Sequence, residues 1–201
     1  KSGVIGLLGS ALGMDRDDDE TLTQLATLSM SVRVDREGRV LRDYHTVGGR
    51  TFRGEPYFAY GTSDVIVTNR YYLMDACFVV GLSSDDRVLV ERLIQAIKNP
   101  HWPLFLGRRS CPPARNVFLS GPMEGESQLL ITQVPYQGDP SPSEPIPLRC
   151  IIEGAEGKSR ADVPRSFRKH ARRFDSRCVR DEWISSAELP GGKYVPVTVT
   201  A

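Results

Sequence analysis

Apolar residues at Val4, Ile5, Leu8, Ala11 and Leu12 recur with a helical period, so residues 2–12 are expected to form a helix. Ser2 is its expected N-cap, and Gly13 stands where a left-handed residue closes such a helix. A second short helix is expected to start in the acidic run, capped by Asp18 or Asp19, with Leu22, Leu25 and Ala26 facing inward. The period then changes. Met30, Val32 and Val34 alternate with Ser31, Arg33 and Asp35, the pattern of a half-buried strand.

From Arg36 to Arg70 the chain is too polar for a core and too patterned for disorder. A turn at Glu37-Gly38, a strand-like stretch from Arg39 to Thr46, a Gly48-Gly49 break, an aromatic loop and a returning strand at Val65–Thr68 predict a projecting β-hairpin arm. Tyr71–Leu82 reads as one strand with Tyr72, Met74, Ala76, Phe78, Val80 and Leu82 on one face. Residues 85–99 carry the clearest helical spacing (Val88, Leu89, Arg92, Leu93, Ala96, Ile97), and Pro100 ends it. The segment from Gly107 to Pro113 must be a loop, because Pro112 and Pro113 remove backbone donors.

Residues 121–147 are rich in Gly, Pro and Ser; Leu148–Ile152 and Tyr194–Val199 read as further strands. Between those strands, Phe167, Ala171 and Phe174 share a helical face opposite Arg165, Arg168, Lys169, Arg172 and Arg173. No internal repeat is visible. The order helix, strand, hairpin, strand, helix, strand is a split β-α-β arrangement without its first strand. It predicts an α+β fold, a sheet with helices on one side.

Composition narrows the partners. The 201 residues are 40% hydrophobic, enough for one good core or two small ones, and no run approaches the roughly 18 apolar residues of a membrane span. Net charge is +1, so nucleic acid would have to be held by local patches rather than by a whole-protein field. Charge is indeed uneven: Asp15 to Glu20 holds five acids and one base, Lys158 to Arg180 nine bases and two acids. Cys77, Cys111, Cys150 and Cys178 lie far apart without a C-x-x-C pair, which argues against a zinc ribbon and a disulfide scaffold. A reduced cytoplasmic setting, with no metal and no cofactor, is the expectation. The sequence opens at Lys1 without Met, and no signal-peptide pattern follows.

Three groups of residues carry candidate chemistry. The arm interleaves Arg39, Arg42, Arg50, Arg53 and Arg70 with Tyr44, His45 and Phe52, and only Asp43 and Glu55 balance them. Guanidinium groups pair with phosphates while rings stack on splayed bases, so this mixture suits single-stranded RNA rather than a solvated hairpin. Arg108, Arg109 and Ser110 sit in a proline-stiffened loop able to cradle an anion, against the blander reading of two surface ion pairs worth about 0–1 kcal/mol each. Lys1 and Ser2 open a helix whose free N–H groups and positive dipole end favour a phosphate; taken alone, they are a simple cap. Cys111 follows two arginines but has no partner base in sight, and Tyr44 and His45, adjacent on a strand, point to opposite faces. Both facts weigh against catalysis. The basic helical face at 165–173 is a solvated surface by default.

Four stretches in order, Lys1-Ser2-Gly3-Val4-Ile5-Gly6-Leu7-Leu8-Gly9, Leu41-Arg42-Asp43-Tyr44-His45-Thr46-Val47, Arg70-Tyr71-Tyr72-Leu73-Met74-Asp75-Ala76 and Leu106-Gly107-Arg108-Arg109-Ser110-Cys111-Pro112, together resemble the CasD family. These are RAMP-superfamily subunits that cap the 5′ handle of the guide RNA (crRNA) in the type I-E CRISPR Cascade complex. The resemblance spans roughly Lys1 to Leu119. It implies a ferredoxin-like (RRM-like) RAMP domain over 1–120 with an inserted β-hairpin thumb at 36–70, and a smaller β-rich C-terminal segment over 121–201. It implies RNA contacts at Lys1, Ser2, Arg42, His45, Arg50, Arg53, Arg70, Arg108, Arg109 and Ser110. It also implies CasC and CasA as neighbours, target DNA met only indirectly through the guide, and no catalysis. The family begins with a strand and an Arg-containing loop ahead of the first helix; the expectation is therefore a protein longer than this numbering. Two other function classes stand beside it: a metal-independent endoribonuclease acting on repeat RNA, and a protein scaffold without RNA contact.

Overall fold

A computed structural model describes residues 1–47 and 66–191, and the chain divides into two compact units, 1–35 with 78–201 and 36–77. The expected strand at Tyr194–Val199 lies outside the described residues. The first unit opens with α1 (Ser2–Leu12) and α2 (Asp19–Ala26). Gly13 closes α1 in the left-handed region (φ 76) as the sequence predicts, but Lys1 is the N-cap; Ser2 is the first helical residue and makes no capping bond. At α2 the capper is Asp18, whose carboxylate accepts from the Thr21 N–H at 2.9 Å.

Strand β1 (Ser29–Arg36) follows, and after the second unit come β4 (Cys77–Ser83), α3 (Arg87–Lys98), the short α4 (Ser127–Thr132), β5 (Pro147–Gly154), β6 (Lys158–Ser166) and β7 (Arg173–Ser185). A 3-10 turn at Ser186–Glu188 is the last element among the described residues. These strands form one sheet in the order β4-β1-β5-β7-β6, so strands from both sides of residue 120 share it. The fold is mixed α+β, and the pairings β1–β5, β5–β7 and β6–β7 are antiparallel.

Two apolar cores flank the sheet. Ile5, Leu8, Leu22, Leu25, Leu28, Leu89 and Leu93 join the three longer helices, with Leu82 and Phe167 packed against them. Val79, Ile131, Val134, Cys150 and Ile152 form the second. Val79 and Leu82 lie three apart on β4 and so on opposite faces; helices therefore cover both sides of the sheet, not one as expected.

Strand β1 is the largest departure from its pattern. Its polar residues Ser31, Arg33 and Asp35 are as buried as Met30 and Val34. Arg33 grips Asp35 through two bonds (Nε–Oδ1 2.6 Å, Nη2–Oδ2 2.9 Å) and donates to the carbonyls of Ile131, Val134 (2.7 Å) and Pro135 (2.9 Å). Asp35 in turn accepts from the Gln137 N–H at 2.6 Å, and the Tyr136 hydroxyl donates to the Asp35 carbonyl at 2.9 Å. The Gly- and Pro-rich segment is thus stapled onto β1, and every strong donor and acceptor in that interior has a partner.

The basic segment is not helical. Residues 158–185 form the β6–β7 hairpin, because β7 pairs on one side with β5 and on the other with β6. Pairing along two edges outweighs a three-residue helical coincidence. Pro164 lies on edge strand β6, where a residue without an N–H is tolerated.

The second unit is a two-stranded antiparallel ribbon of β2 (Arg39–Val47) and β3 (Ile66–Met74). Gly38 (φ 73) opens it, with the Met74 carbonyl and Ala76 backbone where a Cβ would stand. The single strand expected over Tyr71–Leu82 is broken between β3 and β4, where Asp75 turns the backbone at φ 57.

Candidate nucleic-acid interface

Register assigns each hairpin side chain to a face, because directly opposed residues share one. Val40, Arg42, Tyr44 and Thr46 oppose Leu73, Tyr71, Asn69 and Val67. All eight are exposed, Tyr44 and Tyr71 by 63% and 60%. At the centre, Arg42 opposes Tyr71 and Asn69 opposes Tyr44, so these four form a square. Arg42 Nε donates across its diagonal to Asn69 Oδ1 at 2.9 Å, which holds the guanidinium between the two rings. A flat, exposed patch with two phenols, aliphatic flanks and one oriented guanidinium is chemically a stacking platform with a phosphate anchor.

The opposite face carries Arg39, Leu41, Asp43 and His45 with Thr68, Arg70, Tyr72 and Met74. It is more enclosed: Asp43, His45, Thr68, Arg70, Tyr72 and Met74 are half-buried. Arg70 stands directly opposite Asp43, Thr68 Oγ1 donates to the His45 carbonyl at 3.2 Å, and Arg39 pairs with Asp75 at 3.6 Å. Arg42 is therefore on one face, and His45 and Arg70 are on the other. Arg50 and Arg53 lie outside the described residues. Tyr71 was missed in the sequence because Tyr71–Leu82 read as one core strand; its signal is its place opposite Arg42, visible only once the register is known.

In the first unit, Arg108, Arg109 and Ser110 are exposed in a closed turn, where the Cys111 N–H donates to the Arg108 carbonyl (2.9 Å) and Leu106 N–H to the Cys111 carbonyl (2.8 Å). Gly107 enters this turn at φ 82. The chain leading to it is anchored at the C-terminal end of α1: His101 N–H donates to the Ala11 carbonyl (2.9 Å) and Trp102 N–H to the Ser10 carbonyl (3.2 Å). Lys1 and Ser2 stand at the other end of α1, about 16 Å away along an eleven-residue helix.

Lys1 is turned inward. Its Nζ pairs with Glu153 at 2.9 Å, and Arg177 bonds the same Glu153 (3.2 Å) and Asp162 (2.7 Å). Burial opposes ionisation of Asp162, yet hydrogen bonds from Arg177 and from the Lys1 α-amino group (2.6 Å) hold its carboxyl down to about 2. With its side chain committed to Glu153, what Lys1 leaves toward solvent is the first turn of α1, where Gly3 and Gly6 have open space beside them.

Among the described residues no group of three His, Cys, Asp or Glu is placed to hold a metal. Burial pushes the Cys150 thiol up to about 11, away from reactivity. Tyr44 and His45 occupy opposite faces of the ribbon, the former exposed and the latter half-buried, and so do not share a site.

The model of the CRISPR-associated protein (Cas_Cas5) family matches residues 1–180. This chain belongs to that family. It is 34% identical, over 83% of its length and 79% of the relative's, to the CRISPR system Cascade subunit CasD of Escherichia coli (strain K12). A solved structure described as a crystal structure of a Cas protein matches it at a TM-score of 0.71 and 35% identity, covering 95% of this chain and 83% of that one. A chain of a CRISPR RNA-guided surveillance complex matches at a TM-score of 0.72 and 29% identity, covering 96% and 83%.

Proposed function

We propose that this Cas5-family chain is a non-catalytic subunit of a type I-E Cascade complex that holds the repeat-derived 5′ handle of the crRNA. The ribbon inserted between β1 and β4 is the thumb of a ferredoxin-like RAMP core. The observation that carries the reading is the exposed square of Arg42, Tyr44, Asn69 and Tyr71, which offers stacking and phosphate pairing together. Arg70 and His45, on the other face, and Arg50 and Arg53 serve the same strand of RNA. Arg108, Arg109 and Ser110 supply a second anion seat, and Lys1 and Ser2 contribute through the amides of the first turn of α1. Its protein neighbours are CasC along the guide and CasA beside the handle, in the cytoplasm, and target DNA is met only through base pairing with the guide.

The placement of Tyr44 and His45 on opposite faces of the ribbon supports a binding role, because these two residues cannot act together as an acid–base pair on RNA. Sequencing the RNA that co-purifies with the assembled complex tests the reading. A fixed 5′ end followed by variable sequence is expected, and random RNA fragments contradict it. Incubation with repeat RNA in EDTA is expected to yield no new 5′ ends; products that vanish in His45→Ala would instead establish an endoribonuclease.

A further inference from the structure

The basic segment that the helical pattern misplaced is the most cationic stretch of the chain, and its charges divide into two groups. Most are committed internally. Arg177 is buried against Glu153 and Asp162, Arg165 pairs with Asp175, Arg180 with Glu182 (2.6 Å), and Lys158 with Asp181 (3.9 Å). Four are exposed with no acid partner among the described residues: Arg160 on β6, and the cluster of Lys169, Arg172 and Arg173 at the turn between β6 and β7.

That turn is held rigidly. Phe167 packs on the helical core, and Arg168 reaches α2 through a 2.7 Å ion pair to Asp19. The Ala171 N–H donates to the Arg168 carbonyl at 3.1 Å, the Arg168 N–H to Ser166 Oγ at 3.2 Å, and His170 takes the left-handed conformation (φ 65) that tightens the bend. Both acids of the segment, Asp162 and Asp175, are already paired, so nothing within it neutralises the tip. Three long cations carried at one end of a hairpin, beside a Phe174 that is 42% exposed, present positive charge to solvent. With no side-chain hydrogen bond among the described residues to fix their direction, they suit the regularly spaced charges of a nucleic-acid backbone rather than one base edge.

We propose that the β6–β7 tip is a second, sequence-independent contact for a phosphodiester backbone, made by Lys169, Arg172 and Arg173. It shares no residue with the hairpin square or the Arg108–Ser110 turn, so it stands or falls apart from the handle-binding reading. The chemistry is common to single-stranded RNA and to duplex DNA, and the test separates them.

Titrate the full chain with an unrelated-sequence single-stranded RNA and, separately, with an unrelated DNA duplex, each from low to moderate salt. In Lys169→Ala/Arg172→Ala/Arg173→Ala the slope of log K against log salt is expected to flatten by about 2–3 on at least one probe, with affinity at low salt down by 10-fold or more. Loss on RNA alone assigns the tip to the guide, and loss on duplex alone assigns it to target. The charge-keeping variant Lys169→Arg/Arg172→Lys/Arg173→Lys is expected to retain both slope and affinity, and the thermal midpoint of each variant to match the parent. Unchanged slopes on both probes would overturn the proposal. So would equal losses in the charge-keeping variant, and so would intact nucleic-acid binding in a variant that no longer joins its complex, which would make the tip a protein contact.

Discussion

The polar face of β1 and the exposed face of the β2–β3 ribbon invert the usual rule in opposite directions. On β1 an arginine and an aspartate are buried; on the ribbon two tyrosines, two valines and a leucine face solvent. The inversion on β1 is explained within the chain, because the carbonyls of Ile131, Val134 and Pro135 and the N–H of Gln137 complete every bond that Arg33 and Asp35 need. The ribbon's inversion has no such completion among the described residues. An arginine saturated by its own protein is architecture, and one held upright between exposed rings is available to a ligand. The environment of a guanidinium, not its presence, separates structure from function here.

The comparison breaks most visibly at Arg33. Replacing it by Met leaves Asp35 buried without a counter-charge, and stability is expected to fall by about 3–5 kcal/mol, read from denaturant unfolding of the isolated chain. Arg42→Ala is expected to do the converse. Stability should change by less than about 0.5 kcal/mol, while handle-RNA affinity falls by about 1–3 kcal/mol in a filter-binding titration. If Arg42→Ala destabilised the fold as Arg33→Met does, the distinction between the two arginines would fail.

A smaller effect is expected at Asp86, whose carboxylate caps α3 by accepting from the Leu89 N–H at 3.0 Å. Asp86→Ala should cost about 1 kcal/mol in thermal unfolding and leave RNA affinity unchanged. The last concerns pH. Asp162 is held below its ordinary value of 3.8, so its ion pair contributes fully above pH 4 and is lost as pH falls from there toward 2. Urea midpoints measured across that window should drop less steeply in Asp162→Asn than in the parent.

Much of this was legible in the sequence, for reasons that differ by element. Helices α1 and α3 and the closing Gly13 follow from period and from local backbone preference, which act within a few residues. So does the ribbon, whose turn signals at Gly38 and at Gly48-Gly49 bracket a strand. Three things were not legible. The burial of Ser31, Arg33 and Asp35 depends on a segment about a hundred residues later. The break at Asp75 depends on a left-handed residue that is neither Gly nor Asn. The hairpin at 158–185 depends on pairing with β5, which no local window contains. At the candidate site, the sequence supplied Arg42, Tyr44 and the separation of Tyr44 from His45, but not the face that Arg70 takes, and it hid Tyr71, because the register of β2 on β3 decides both.

Ultraviolet crosslinking of the assembled complex to its own RNA, with the attached residues mapped by mass spectrometry, tests the ribbon most directly. Tyr44 and Tyr71, on the exposed face, are expected to carry nucleotide adducts, and Tyr72, half-buried on the reverse face, is not. Adducts on Tyr72 with none on Tyr44 or Tyr71 would contradict the assignment of that face to RNA.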